Sequence, residues 1–307
     1  MLIVRPPHQK GEKIPLWGNH SLPAQKTREE KQMAKNKALE EIKNQLDQGI
    51  QEVMTSKKFQ EWLKFLSSFH NYSFNNTILI YMQSPQATLV KGFNEWKKDG
   101  RFVKKGAKAI KILAPLIRKK KEDNSKNQEG KKEIYGFRYV NIFDVSSTEG
   151  KELPDADAVK KLKGGGEWEK SLLKEWIEKI EIPVRFEDTG EANGYFHLVN
   201  NYIAIHEERD TTQQLKTLIH EYAHYLLHAK GAKFEKEGKR MKEAQAEAVA
   251  YVVMNRFGYD TGQYSFGYIA GWSRDLNIMK QIGADIVKCS HQIIEMLNKP
   301  MRKDVTA

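Results

Sequence analysis

The 307-residue chain has the composition of a water-soluble globular protein, with 39% hydrophobic and 30% charged residues, and it is long enough for two domains of ordinary size. No apolar run approaches membrane-spanning length and the first ten residues lack a secretory pattern, so we expect a cytoplasmic protein without a membrane partner. A single cysteine, Cys289, excludes an intramolecular disulfide and any cysteine-based zinc site.

The positive charge of the chain is concentrated in its N-terminal half. The whole chain has a net charge of +11, but residues 1–140 carry 28 Lys and Arg against 14 Asp and Glu, a net of +14. The remaining residues therefore have a small net negative charge. This asymmetry is expected if one half binds nucleic acid and the other half performs chemistry.

The N-terminal half is predicted to begin with a disordered leader at 1–27, which holds four of the nine prolines. Apolar residues at helical spacing then predict helices over 28–68 and 77–83. Short apolar runs predict strands at 101–103, 110–113 and 135–143, the last returning beside 110–113. The charge run 118–132 lacks apolar periodicity and is interpreted as a solvated hairpin loop.

A stretch containing Pro154 and three consecutive glycines predicts a linker at 151–166. Beyond it, the pattern predicts a helix, a strand and a hairpin, followed by two helices and a C-terminal helix; their approximate ranges are 168–179, 184–186, 194–205, 217–228, 241–256 and 278–297. The expected fold class is α+β, with helices on a small antiparallel sheet in each half. The predicted domains are 28–150 and 167–307.

The strongest chemical signal is the sequence His220-Glu221-Tyr222-Ala223-His224. It lies in an apolar-periodic stretch without Pro or Gly, which predicts a helix with His220 and His224 on one face. Two imidazoles there can bind one divalent ion, and Glu221 beside them can exchange a proton with water, as zinc hydrolases require. The alternative is an ordinary amphipathic helix that happens to carry two histidines.

The alanine-rich helix predicted over 241–256 offers a third ligand. It places Glu243 and Glu247 four residues apart on one face, and its alanines allow close approach to the first helix. A carboxylate on such a helix is costly to bury without a partner, which a zinc ion would provide. We assign Glu247 as the third ligand and Glu243 as the residue that orients a histidine. The reverse assignment remains open, as does solvation of the acids.

The basic half also interleaves aromatic rings with cations. Rings can stack on unpaired bases while Lys and Arg contact phosphates, a mode that tolerates any sequence. The predicted stacking residues are Tyr72, Phe74 and Trp96, and the other predicted DNA contacts are Asn75, Lys91, Lys97, Arg101, Lys104 and Lys105. Any one ring can instead belong to the core, so the prediction rests on the cluster.

Two blocks of the chain resemble a known family. Residues of about 35–145 resemble the N-terminal domain of ArdC-type antirestriction proteins, and the chain from about Gly194 onward resembles their zincin domain, which is related to ImmA/IrrE metallopeptidases. The motifs that carry the resemblance are YSFNN (72–76), GFNEW (92–96), VKKG (103–106), HEYAH (220–224), EAQAEAVAY (243–251) and YSFGYI (264–269).

The resemblance implies a protein of a mobile element that binds single-stranded DNA, shields incoming DNA from restriction and carries a zinc site. It does not establish that this site cleaves peptides. One alternative is a regulatory zinc protease that cleaves a repressor or host protein and uses its basic domain for targeting. Another is a degenerate zincin with purely structural zinc, although such a site would not require Glu221.

Overall fold

The computed structural model describes residues 28–54, 58–119, 132–153, 166–232, 238–259 and 275–300. Within these ranges helices and small sheets are mixed, which confirms the predicted α+β class. The predicted leader at 1–27, the centre of the charge run, most of the linker and the motif at 264–269 lie outside the described residues. The contacts divide the chain after Glu40 into two units, and apart from the start of α1 at Arg28 the elements described here belong to the second.

The described residues of the N-terminal part include four α-helices. They are α1 (Arg28–Met54), α2 (Lys58–Ser68), α3 (Phe74–Gln83) and the short α4 (Phe93–Lys98). From Ile42 onward, buried apolar residues recur in α1 at helical spacing, and α2 buries Trp62 and Leu63. Helix α3 ends just before Ser84-Pro85, as expected because proline disfavours a helical conformation in the preceding residue.

The strands of this part form two antiparallel sheets. They are β1 (Val90–Gly92), β2 (Arg101–Val103), β3 (Ile110–Lys119), β4 (Lys132–Asp144) and β5 (Thr148–Gly150). The first sheet has the order β1-β4-β3, so β4 returns beside β3 as predicted. Strand β2 pairs with β5. Strands β2 and β3, which lie on either side of the basic turn at 104–106, are therefore not paired with each other.

The alternation of side chains positions two different surfaces on the β3–β4 hairpin. Ile110 and Ile112 lie opposite Ile142 and Val140, and these residues face the core. Because successive residues of a strand point to opposite faces, Phe137, Tyr139 and Asn141 of β4 point away from the core, whereas Tyr135 is the extra residue where the register with β3 shifts. This second face is exposed.

The C-terminal part surrounds a third sheet. Its elements are α5 (Gly166–Lys179), β6 (Val184–Glu187), β7 (Gly194–His197), β8 (Tyr202–His206), α6 (Thr211–His228), α7 (Lys239–Arg256) and α8 (Leu276–Asn298). The predicted 194–205 hairpin is present as β7 and β8, but β8 also pairs with β6 in parallel. This sheet is therefore mixed, whereas we expected a purely antiparallel sheet.

Helices from both parts share one hydrophobic core. Helix α6 packs on β7, β8 and α7, while α2 packs against α7 and α3 against α8. In the contact of α3 with α8, the ring of Phe74 lies directly on Gly283. None of the helices in the described ranges combines the length and apolar content needed to span a membrane.

Candidate metal centre and nucleic-acid interface

Helix α6 is held in place by polar contacts at its start and apolar packing along its length. The carboxylate of Asp210 accepts a hydrogen bond from the backbone N–H of Gln213 at 3.0 Å and caps the helix. The amide of Gln214 donates to the carbonyl of His206 at 3.1 Å, which ties the first turn to the end of β8. These contacts set the rotation of α6, and with it the direction of His220 and His224.

The two predicted histidine ligands converge on one carboxylate. The Nε2 atoms of His220 and His224 lie 3.1 Å apart. Oε2 of Glu243, on the neighbouring α7, lies 3.4 Å from Nε2 of His220 and 3.6 Å from Nε2 of His224. Ligands of one tetrahedral zinc ion, each about 2.0–2.1 Å from the metal, are separated by similar distances. Two imidazole nitrogens and a carboxylate oxygen therefore fit a divalent metal ion such as zinc.

Glu247 contacts the opposite side of His220. Its Oε2 lies 3.2 Å from Nδ1 of His220, and its Oε1 lies 2.9 Å from the ammonium of Lys216. A carboxylate in this position accepts a hydrogen bond from Nδ1–H of His220, so that Nε2 is the nitrogen that can bind a metal. The geometry thus favours Glu243 as third ligand and Glu247 as the orienting residue, which is the reverse of our first assignment.

A relay of side chains that the sequence analysis did not identify orients His224. Nε2 of His228 lies 3.0 Å from Oε1 of Gln245, and Nδ1 of His228 lies 3.0 Å from Nδ1 of His224. The amide oxygen can only accept, so a neutral His228 donates from Nε2 and accepts at Nδ1. His224 then carries its proton on Nδ1 and presents a bare Nε2 to Glu243 and His220. The available signal was the position of His228, one turn beyond His224 on the same face.

Electrostatics reinforce both orientations. Burial lowers the pKa of His228 to about 4, which keeps the ring neutral. Burial also lowers the pKa of His220, but hydrogen bonds to Glu243 and Glu247 outweigh it and raise the value to about 9. The hydrogen bond from His220 is the largest of the effects that hold the pKa of Glu243 well below its ordinary range. A pair of opposite charges therefore occupies the ligand positions of the metal-free protein.

Glu221 lies beside this cluster and against the third sheet. Its carboxylate is buried, and burial raises its pKa, while the backbone N–H of Phe196 on β7 donates to it. In the order β6-β8-β7, β7 is an edge strand among the described strands. The residue with the chemistry of a proton acceptor therefore adjoins the strand that lies at the edge of the sheet among the described strands.

Two of the three predicted stacking residues are wrong. Phe74 is 4% exposed and packs edge-on against Trp62, and Trp96 is 0% exposed with its indole N–H donating to the carbonyl of Phe143. Neither ring can meet a base, because both are enclosed by the core. The Tyr72 ring is partly buried, and its hydroxyl donates to the carbonyl of Val90 at 3.0 Å.

The predicted phosphate contacts divide into two groups. Arg101 directs its guanidinium at Thr148 and the carbonyl of Lys151, so it stabilises the β2–β5 pair and is not available to phosphate. Lys91 lies 2.7 Å from Asp99, which neutralises it locally. The other predicted phosphate contacts are exposed: Lys97, Lys104 and Lys105. Asn75, which was predicted as a DNA contact without a phosphate role, is partly exposed.

An exposed row of aromatic rings lies elsewhere, on β4. Tyr135, Phe137 and Tyr139 occupy every second position of β4 and are 54%, 51% and 38% exposed. Phe137 and Tyr139 share one face of the strand, and Tyr135 lies at the point where the register with β3 shifts. The guanidinium of Arg118 lies 5.4 Å from the ring centroid of Tyr135, and the ammonium of Lys111 lies 5.9 Å from that of Tyr139. Solvent-exposed rings beside cations are the elements of a single-strand-binding surface. The alternating pattern at 135–143 was the signal that could have identified it.

Comparison with known protein families divides the chain in two. The profile of the N-terminal domain of anti-restriction factor ArdC matches residues 29–145. The profile of the IrrE N-terminal-like domain of the M78 peptidases matches residues 177–280. The first match covers the aromatic row, and the second covers α6, α7 and the candidate metal centre.

Individual relatives are distant. The chain is 25% identical to the uncharacterized protein pXO2-81 of Bacillus anthracis over 308 aligned positions, which cover 85% of this chain and 52% of that protein. The chain thus spans about half the length of the curated relative it matches.

Two solved structures of the antirestriction ArdC protein from plasmid R388 are also similar. The metal-free one has 17% identity and a TM-score of 0.49 over 74% of this chain and 84% of that chain. The Mn(II)-bound one has 17% identity and a TM-score of 0.47 over 74% and 83%. At these values the likeness supports no conclusion about function.

Proposed function

The chain is an ArdC-type protein, with an ArdC N-terminal domain followed by an M78 peptidase-like domain, and we propose that it is an antirestriction protein of a mobile element that binds single-stranded DNA and carries a zinc site in its second domain. The N-terminal match indicates interaction with nucleic acid. The finer assignment to single strands is supported by the aromatic row Tyr135, Phe137 and Tyr139.

The aromatic row is the observation that carries the DNA-binding proposal. The faces of duplex bases are covered by neighbouring bases, whereas unpaired bases can lie flat on exposed rings. Each such stacking contact contributes about 1–3 kcal/mol to the binding free energy. Lys111 and Arg118 lie at either end of the row and can contact phosphates on the same strand. Stacking therefore supplies a preference for single strands that phosphate attraction alone does not.

A fluorescence-anisotropy titration of the whole chain tests this assignment. The whole chain is used because α2 packs against α7 and a fragment would expose that core. Replacing Tyr135, Phe137 and Tyr139 by Ala should weaken binding of a single-stranded oligonucleotide more than about tenfold, with a smaller effect on duplex. Phe186→Ala is the control, because this ring is 44% exposed on β6 outside the basic part. Unchanged single-strand affinity of the triple variant would refute the surface.

For the second domain we propose that His220, His224 and Glu243 hold the metal ion. The ion supplies Lewis-acid chemistry that activates water and polarises a carbonyl. Glu247 and His228 hold the two imidazoles in their binding tautomers, and Glu221 accepts and returns a proton. The raised pKa of the buried Glu221 carboxylate strengthens it as a base.

Peptide hydrolysis is the second candidate activity, and the position of β7 favours it. Among the described strands β7 is at the edge of its sheet, where an extended peptide can add by backbone hydrogen bonds. The Phe196 N–H on this strand donates to Glu221, so the edge lies beside that carboxylate. A peptide added there would pass the carboxylate that moves the proton. A substrate of this kind is a repressor or host protein with an accessible extended segment.

One experiment separates the two roles. Wild type and Glu221→Gln are compared in the same DNA-transfer assay, with zinc content measured for both proteins. If DNA binding alone protects incoming DNA, Glu221→Gln should retain zinc and protect fully. Loss of protection with zinc and DNA affinity intact would assign protection to hydrolysis, and loss of zinc would refute the role given to Glu221.

A further inference from the structure

A second cluster of metal-ligating side chains lies away from the candidate metal centre. His70 belongs to the turn between α2 and α3, and His291 and Glu295 lie on α8. One potential ligand atom from each of the three residues lies within 4.8 Å of the other two. The ring centroids of the two histidines are 5.8 Å apart.

The cluster is built on rigid elements. His291 and Glu295 are four residues apart on one helix, a spacing that places two side chains on the same face. The turn that carries His70 is held by backbone hydrogen bonds of 3.0 Å from Phe69 to Leu66 and from Tyr72 to Phe69. His70 itself is 5% exposed, so its position is fixed by packing.

Protein contacts alone do not satisfy this cluster. Nε2 of His70 lies 3.7 Å from Oε1 of Glu295, which is too long for a hydrogen bond but close to the separation of about 3.4 Å between two ligands of one tetrahedral zinc ion. Within the described residues, Nδ1 of His291 is buried and has no hydrogen-bond partner. A buried nitrogen of this kind costs free energy that a ligand would recover.

We propose that His70, His291 and Glu295 bind a second divalent metal ion of the zinc class, separate from the candidate centre on α6 and α7. Two imidazole nitrogens and one carboxylate oxygen are the ligand types that zinc prefers. Glu295 is exposed, and the site opens to solvent on that side.

The second site joins two parts of the chain. His70 lies inside the segment matched by the ArdC N-terminal domain, whereas His291 and Glu295 lie beyond the segment matched by the IrrE-like domain. Neither family match therefore implies it. An ion there would link the α2–α3 turn to α8, beside the contact of Phe74 with Gly283. Its expected effect is to stabilise the packing of the N-terminal helices on the C-terminal ones.

Metal stoichiometry tests this site independently of the first. The whole chain is saturated with zinc, desalted and analysed for bound zinc, and its melting temperature is measured with and without the ion. We expect two equivalents for wild type, one for His291→Ala, one for His224→Ala and none for the double variant. Zinc should raise the melting temperature of His291→Ala less than that of wild type, while Gln292→Ala, an exposed neighbour on α8, should match wild type.

The decisive protein is His224→Ala, because it lacks a ligand of the first site. If His224→Ala retains one zinc equivalent and the added His291→Ala substitution removes it, the second site is supported. This result would hold even if the ligands of the first site were misassigned. Wild type that binds one equivalent, with zinc content and zinc-induced stabilisation unchanged in His291→Ala, would overturn the proposal. So would binding that persists only in millimolar zinc, which indicates adventitious contact. Glu295→Gln, which keeps size and removes charge, should weaken the second equivalent without unfolding the chain.

Discussion

The ammonium of Lys216 lies 2.9 Å from Oε1 of Glu247, and this ion pair turns the carboxylate away from the point where the two histidine Nε2 atoms meet. Lys216 precedes His220 by one helical turn on α6, and its side chain is 9% exposed. A buried ammonium needs a carboxylate partner, and Glu247 is that partner. The same helix thus supplies both the histidines proposed to bind the metal and the cation that pairs with one of the two acids.

Removing Glu243 should cost more metal affinity than removing Glu247. Glu243→Ala deletes a ligand oxygen, whereas Glu247→Ala deletes an orienting contact, a type of loss that lowers metal affinity about 10- to 100-fold. Zinc affinity measured by competition with a chelator distinguishes them, with His224→Ala as the reference for a lost ligand. A larger loss for Glu247→Ala would return the ligand role to Glu247.

His228 should increase zinc affinity because its Nδ1 accepts a hydrogen bond from His224. His228→Leu removes that acceptor and should lower zinc affinity about 10- to 100-fold. His228→Asn is the matched variant, because its side-chain oxygen can accept a hydrogen bond from Nδ1–H of His224 at a similar position. This variant should retain most of the zinc affinity.

Nitrogen NMR of the metal-free protein provides a readout that general destabilisation would not mimic. His224 should be protonated on Nδ1 in wild type and in His228→Asn, and should lose this preference in His228→Leu. Equal zinc affinities for the Leu and Asn variants would contradict the relay.

Zinc binding should release a proton and strengthen as pH rises. Hydrogen bonds to Glu243 and Glu247 overcome burial and raise the pKa of His220 to about 9, so the ring is mostly protonated at neutral pH in the metal-free protein. A metal must displace this proton, and apparent affinity should therefore rise about tenfold per pH unit from neutrality up to the pKa of His220 and then level off. Chelator competition at several pH values measures the slope, and a flat profile would refute the protonated state.

Gly283→Ala should destabilise the protein, although alanine is the better helix former. A Cβ at this position would lie 2.5 Å from Cζ of Phe74 and closer still to Cε2. The overlap should cost about 1–3 kcal/mol, more than the gain of about 0.5–1 kcal/mol from helix propensity. Urea unfolding measures the difference, and Gln292→Ala on the exposed face of α8 should change stability by less than about 0.5 kcal/mol. A stabilised Gly283→Ala protein would contradict the packing of α3 on α8.

The core of the metal centre could be predicted from local sequence. An uninterrupted apolar pattern requires a helix at 217–228, and helical geometry then places His220, Glu221 and His224 together without any tertiary contact. The α+β class and the antiparallel pairing of β3 with β4 could also be predicted, because alternation and turn residues are local signals.

Tertiary structure alone decided which residues take each role. Glu243 and Glu247 share a face of α7, so the local sequence does not distinguish the proposed ligand from the proposed orienting residue. The packing of α7 on α6 does, because it places Glu247 against Lys216 and Glu243 against Nε2 of His220. Phe74 and Trp96 have the same chemistry as Phe137, and the burial that distinguishes them depends on contacts with α8 and β4, which are distant in sequence. Local periodicity specifies which residues share a face; which face is covered depends on the elements that pack against it.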